Sequence, residues 1–390
     1  MPRLLKVRPV TAAEHLAYLR SRSSASFLQT PAWAQVKAEW RAESLGWFDD
    51  DAPDAPPVGA ALVLYRQLPR VRRYLAYLPE GPVIDWDDDL AAWLTPMVAH
   101  LRSAGAFGVR IGPPVTTRRW DAAALKAGLA DPQVRRLDDV PPTHRHPAGA
   151  RVVSQLRELG WRPQGEDGGF AAGQPRHVFQ VPLTTTDPDS GATRARTEDE
   201  VLRGMNQLWR RNIKRAEKEG VVVTASTGVP DDDTVAAFHA LYVHTAERDR
   251  FTPRPLPYFR TMVRALCGED PDRLRLWQAH HEGDLVAATI AVRVGTHAWY
   301  SYGASSTAKR DVRGSNAVQW AMMRDALAAG AEVYDLRGIT DTLDAADPHA
   351  GLIQFKVGTG GEAVEYAGEW DLPISSVLYR AFELYLRRRR

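Results

Sequence analysis

Helical and strand periodicities alternate along this chain. In FLQTPAWAQVKAEW, Phe27, Trp33, Val36 and Trp40 recur near helical spacing and Pro31 suits a first turn, so a helix is expected with Lys37 beside its aromatic face. GAALVLYRQL and RYLAYLP read as two strands joined by a basic connection from Pro69 to Arg73. DLAAWLTPMVAHLRSAG follows as an amphipathic helix closed by Gly105, and FGVRIGPP as a short buried strand that Pro113 and Pro114 terminate.

A second pass of the same kind starts near Ala150. VVSQLRELGW predicts a helix with Gly160 as its C-cap, and HVFQVPL a strand; TTTDPDSGATRART has the composition of a linker. The strongest helical signal is EDEVLRGMNQLWRRNIKRAEKEG. After it come a strand (VVVTAST), two helices, a run of strands turning at His281 to Asp284, a helix (SNAVQWAMMRDALAAG) and a strand (AEVYDLRGI). Both halves alternate helices with strand groups in similar order, which predicts a duplicated α+β unit without any sequence repeat.

Length and composition agree. A chain of 390 residues exceeds one usual domain, and 44% apolar residues supports sizeable cores. The net charge of +2 means that attraction for polyanions must come from local patches. Cys267 is the only cysteine, so an intramolecular disulfide framework and a cysteine-rich zinc site are both excluded. The N-terminus lacks a signal-peptide core, and no apolar run approaches the ~20 residues of a membrane span, so a soluble, cytoplasmic protein is expected. The tail LYLRRRR sets Arg387 to Arg390 beside Leu384 and Leu386. It reads better as a solvated helix end than as a membrane contact.

Candidate chemistry is sparse. DVRGSN opens a helix as a CoA pyrophosphate loop would, but Asp311 stands where a cation or amide belongs. Neither HRH at His144 to His146 nor HH at His280 and His281 has metal-site spacing, no GxSxG is present, and Cys267 has no activating neighbour in sequence. WRRNIKRAEK places Arg211, Lys214, Arg215 and Lys218 on one helix face, with Trp209 at its end, as a candidate phosphate or nucleic-acid surface. In FKVGTGGEAVEY the lysine precedes the glycines, the reverse of a phosphate-binding loop. Those glycines read as a bend between two strands, with Lys356 either a surface lysine or a site residue.

Taken in order, FLQTPAWAQVK, LPEGPV, IGPPV, WRRNIKRAEKEGV, YVHTAERDRFTPRPLPYF, YSYGASS, GSNAVQWAMMRDALAAGAEVYDLRGI and FKVGTGGEAVEYAGEWDLP resemble the Fem family of aminoacyl-tRNA-dependent peptidyltransferases, in particular its FemX-like branch. The resemblance implies an α+β fold of two GCN5-related acetyltransferase-like domains around a central cleft. The first would span 1–150, completed by 366–390, and the second 151–365. KEG runs straight into VVVTAST, leaving no room for the coiled-coil arm of some relatives.

The same resemblance implies transfer of an amino acid, glycine first among them, from aminoacyl-tRNA to the side-chain amine at position three of the lipid II stem peptide, or of its soluble nucleotide precursor. This would start a peptidoglycan interpeptide bridge, with no metal or CoA and with transient contact at the inner face of the membrane. By motif match Lys37 and Arg211 would grip the precursor diphosphate, Tyr302 and its neighbour Tyr300 would contact substrate, and Lys356 would stabilise the tetrahedral intermediate. Lys214, Arg215 and Lys218 would meet tRNA. Glu80 in LPEGP and Gly112 in RIGPP depart from the family pattern, which has arginine and aspartate there. The alternatives are a tRNA-dependent transferase acting on a secondary metabolite, a non-catalytic tRNA or precursor binder, and a CoA-dependent N-acetyltransferase.

Overall fold

The computed structural model describes residues 4–49, 55–165, 173–187, 189–344, 347 and 350–387. The chain divides into two compact units: unit 1 holds Met1–Arg119, His144–Arg176 and Glu365–Arg390, and unit 2 holds Trp120–Thr143 and His177–Val364. The boundary expected at 150 thus lies inside a segment of unit 1, and the C-terminal stretch from 366 belongs to that unit. The tail at 388–390 and the Arg387 side chain lie outside the description.

In unit 1 four strands, Leu5–Pro9, Arg41–Asp49, Gly59–Gln67 and Tyr74–Leu78, pair antiparallel in chain order. Helix Leu90–Ser103 then carries the chain across to Ala106–Ile111, which lies parallel to Tyr74–Leu78. Trp370–Pro373 pairs antiparallel on the far side of that strand. Asp89 caps the crossover helix by accepting the N–H of Ala91. Leu90, Trp93, Leu94, Met97 and Leu101 form its buried face against Trp47, Val63 and Val109. Each such side chain contributes about 1.5–3 kcal/mol of burial. The cost of burying the Trp47 indole is offset by its N–H bond to the Trp93 carbonyl, 2.8 Å.

Unit 2 repeats this plan. Val222–Ala225, Leu274–His281, Asp284–Val294 and His297–Ser305 pair antiparallel in order. Helix Gly314–Ala328 crosses over to Val333–Gly338, which is parallel to His297–Ser305, and His177–Pro182 pairs antiparallel beyond it. Between the first and second strands each unit inserts two helices: Ala12–Arg20 and the short Trp33–Val36 in unit 1, Asp232–Asp249 and Leu256–Glu269 in unit 2. The duplication expected from the pattern of elements is present.

Three local expectations are corrected. Lys37 is not within a helix: Trp33–Val36 is four residues long and Lys37 is its C-cap, the chain entering a strand at Arg41. The supposed linker folds instead as a hairpin, Thr184–Thr186 on Thr193–Ala195. Lys356 belongs to helix Ala350–Val357, so the glycines join a helix to strand Glu362–Tyr366 rather than two strands. Helix Gln207–Lys218 stops before Gly220, whose φ of +78° closes it, and the longest helix among the described residues has 18 residues. No coiled-coil arm is present among them. No described helix is long and apolar enough to cross a membrane.

Candidate functional site

Lys356 is 3% exposed and therefore not a surface lysine. Its Nζ donates to the Gly338 carbonyl at 2.7 Å and to that of Arg337 at 3.3 Å. The glycines explain the burial. A Cβ on Gly358 would lie 2.3 Å from Cδ1 of Trp209, one on Gly360 2.0 Å from the Gly204 carbonyl oxygen, and one on Gly361 2.3 Å from that of Gln180. Small residues let the turn press against its own unit. Trp209 completes the anchor: its indole N–H donates to the Phe355 carbonyl at 2.9 Å and its ring meets that of Phe355 at 4.7 Å. The Asn206 side chain caps helix Gln207–Lys218 while its backbone N–H reaches the Gly358 carbonyl at 2.9 Å.

The two carbonyls that hold Lys356 come from a strained strand end. Arg337 has φ +62°, a left-handed conformation that costs a non-glycine residue about 1 kcal/mol or more. Asp335, 1% exposed, fixes it by accepting the Arg337 N–H at 2.5 Å. The same carboxylate accepts from Gln180 Nε2 at 3.0 Å and lies 3.3 Å from His297 Nε2, whose ring stacks on Trp299 at 4.1 Å. Burial opposes ionisation of Asp335, but the His297 bond and charge, Arg337 and Gln180 outweigh it and hold its pKa below the ordinary range. For Lys356 burial wins: it lowers the pKa to about 7, Arg337 pushing the same way and Asp335 opposing. The result is an amine with little hydration, held by neutral carbonyls and poised near neutrality.

Tyr302 belongs to an aromatic group in unit 2, whereas Tyr300 packs against the core cluster that also holds Trp209 and Val357. The Tyr302 hydroxyl is 3.0 Å from that of Tyr258, and its ring meets Phe259 edge-on at 5.1 Å and Tyr242 at 6.1 Å. A register shift opposite Ile290 and Ala291 leaves Ser301 as the extra residue between Tyr300 and Tyr302. Burial pushes Tyr300 up to about 12, with Asp249 and Tyr242 adding to it.

On helix Gln207–Lys218 the cations Arg211, Lys214, Arg215 and Lys218 are exposed, whereas Trp209, Ile213 and Ala216 face the core. Trp209 is therefore not part of the cationic face. Arg215 pairs with Asp311 at 3.4 Å and Glu219 at 3.7 Å. Among the described residues Arg211, Lys214 and Lys218 have no ion-pair partner. Lys37, in unit 1, reaches Glu39 at 4.0 Å. In the same unit a Cβ on Gly112 would lie 3.2 Å from the Glu80 nitrogen and 3.7 Å from Glu369 Cγ. Two buried acids thus border the position that lacks one. Glu80 accepts from Ser26 Oγ at 2.5 Å and Glu369 from the Tyr77 hydroxyl at 2.5 Å. Cys267 is buried, which pushes its thiol up to about 11 and removes it as a nucleophile at neutral pH.

Asp335, Gln180 and His297 carry no distinguishing signal in the sequence. They come from strands far apart in the chain.

Comparison with known proteins gives a consistent picture. The model of the FemAB family matches residues 10–270 and 274–387. A lipid II:glycine glycyltransferase of Staphylococcus aureus (strain USA300) is 23% identical over 96% of this chain and 94% of its own length. Among solved structures, that of FemX superposes with a TM-score of 0.77 at 22% identity, covering 97% of this chain and all of FemX. A tandem GNAT protein from the clavulanic acid biosynthesis pathway aligns with a TM-score of 0.50 at 11% identity, over 95% of this chain and 98% of its own. The fold is thus α+β, with two units of the GNAT type.

Proposed function

Because this chain belongs to the FemAB family, we propose that it is a transferase of peptidoglycan synthesis, which moves glycine from glycyl-tRNA to the side-chain amine at position three of the lipid II stem peptide. The observation that carries this reading is Lys356, a buried amine fixed on two carbonyls within a chain otherwise poor in catalytic groups. The similarity to the S. aureus glycyltransferase supports the choice of acceptor and donor group.

The chemistry required is modest. The neutral acceptor amine attacks the ester carbonyl of the charged tRNA, the C–N bond forms, and a tetrahedral oxyanion develops. When it collapses the C–O ester bond breaks, and the ribose hydroxyl leaves with the proton the amine gives up. Lys356, when protonated, stabilises the oxyanion in surroundings where its charge is poorly screened, an effect worth several kcal/mol of barrier, about that of an oxyanion-hole donor. Arg211 supplies bidentate bonds and Lys37 a point charge for the acceptor's diphosphate. Tyr302 contributes a hydroxyl to substrate binding, with Tyr300 beside it in sequence. Lys214, Arg215 and Lys218 face tRNA.

The test is transfer of label from mixed charged tRNAs to lipid II, with the product identified by mass. Wild-type transfer that falls at least a hundredfold in Lys356→Ala, with lipid II affinity kept, is expected. Binding of charged tRNA without transfer to lipid II would overturn the acceptor assignment.

A further inference from the structure

Helix Ser376–Arg387 packs through Leu378, Tyr379 and Phe382 onto Leu68, Leu75 and Phe107 of unit 1. Its other side is apolar too: Val377 is 77% exposed and Leu384 58%, seven residues apart and so on one stripe, with exposed Arg380 between them. Beside this helix lies a concavity lined by Arg73, Arg102, Ser103, Phe107, Ser375 and Leu378. The Arg73 guanidinium sits over Gly105, where a side chain would touch Nη1 at 3.6 Å. The connection that carries Arg73 also presents Arg70, Arg72 and a 41% exposed Val71. Among the described residues none of these five arginines, Arg70, Arg72, Arg73, Arg102 and Arg380, has an ion-pair partner. Glu383, on the same helix, subtracts one charge.

Unpaired arginines around a shallow apolar hollow, flanked by aliphatic side chains that project into solvent, suit one kind of surface. We propose that this face of unit 1 docks on a bilayer bearing anionic phospholipid headgroups, with phosphates at Arg73 and Arg102 and with Val377 and Leu384 in the acyl boundary. An RNA surface would be matched by exposed aromatic rings among the cations, whereas the large exposed residues here are valine and leucine. The face is distinct from Lys356 and its neighbours, and the inference holds whether or not the transfer reaction is the one proposed above.

The experiment is flotation of the full chain with vesicles of phosphatidylcholine alone or mixed with phosphatidylglycerol, in the absence of lipid II and tRNA. Partition onto the anionic vesicles that weakens with salt is expected. It should fall at least tenfold in Arg73→Glu with Arg102→Glu, since each cation near such a surface contributes about a fivefold factor. It should also fall at least fivefold in Val377→Ser with Leu384→Ser. All four side chains are exposed, and unchanged thermal unfolding confirms that the variants fold. Both pairs of changes leave residues 387–390 in place. Wild-type partition in both variants would assign binding to other cations and overturn the proposal, as would equal partition onto neutral vesicles. Retention by uncharged tRNA without vesicle binding would overturn it in favour of a nucleic-acid surface.

Discussion

Asp335→Asn removes one charge and keeps the side chain's shape. Its carboxylate supports Lys356 in two ways, by favouring the ammonium electrostatically and by holding Arg337 in the conformation that turns two carbonyls toward Nζ. At an effective dielectric of about 20, a nearby charge that is not in direct contact favours the ammonium by on the order of 2 kcal/mol, or between one and two pKa units. The Lys356 pKa, already lowered to about 7 by burial, therefore falls further in the variant. If the ammonium is the active form, kcat/KM for transfer declines as pH rises through that pKa, and the declining limb moves down by one to two units. Activity at pH 7.5 drops about tenfold or more.

The assay is the pH dependence of kcat/KM for glycyl transfer in wild type, Asp335→Asn and Lys356→Met. Deprotonation of the acceptor amine gives a rising limb that all three share, whereas the falling limb is absent from the Lys356→Met background. A falling limb that stays put in Asp335→Asn, or moves to higher pH, would refute the coupling. Loss of activity at every pH with unchanged shape would show that Asp335 acts only by supporting the fold. Stability is also expected to fall by about 2–4 kcal/mol, because three donors lose a charged acceptor.

Three further outcomes are expected. Gly361→Ala should cost about 1–3 kcal/mol in chemical denaturation, because its Cβ meets the Gln180 carbonyl at 2.3 Å, whereas Gly351→Ala, with open space around it, should be neutral or slightly stabilising. For Glu369, burial raises the pKa to about 7 against the pull of Arg110 and Tyr77, so the folded state binds the proton more tightly between pH 4.5 and 7. Its contribution to stability falls by up to about 3 kcal/mol as pH rises through that window, and Glu369→Gln should abolish this slope. Lys214→Glu with Lys218→Glu should raise the KM for charged tRNA at least tenfold while leaving lipid II affinity intact; equal loss of both would refute that division of the helix.

The duplicated architecture is legible in the sequence because it rests on local signals. The crossover helix Leu90–Ser103 announces itself by its apolar spacing, and strand Gly59–Gln67 by its unbroken apolar run. The environment of Lys356 is not legible for the opposite reason. FKVGTGG has the composition of a turn, and only contacts with Trp209, Gly204 and Gln180, each about 150 or more residues away, make it a buried helix end. Trp209 is misread for the same reason. Beside a cationic run an aromatic side chain suggests stacking on nucleic acid, yet the step from Trp209 to Ile213 and Ala216 places it on the core side. Lys37 shows the limit of periodicity, since four apolar residues near helical spacing are met by a 3₁₀ turn, a four-residue helix and the bend after it as well as by one long helix.

The two units place buried charge at matching points of the fold and treat it differently. In unit 1, Arg110 lies on the strand that follows the crossover and meets Asp371 of the antiparallel neighbour through two bonds of 2.7 Å, with Tyr379 and Gln164 on the same carboxylate. Each ion is matched by the other at close range, so the pair orders the strands. In unit 2 the matching strand carries Asp335, which is satisfied by Gln180, His297 and a backbone N–H. The cation, Lys356, comes from another element and is held by carbonyls instead of by the carboxylate. A carbonyl accepts a bond from the ammonium without supplying the full charge that would fix its proton. In the reaction proposed above, that difference, more than the presence of a lysine, would let Lys356 respond to an oxyanion. The strand after the crossover thus carries a brace in unit 1 and, in unit 2, the carboxylate and carbonyls that surround an amine supplied by another element.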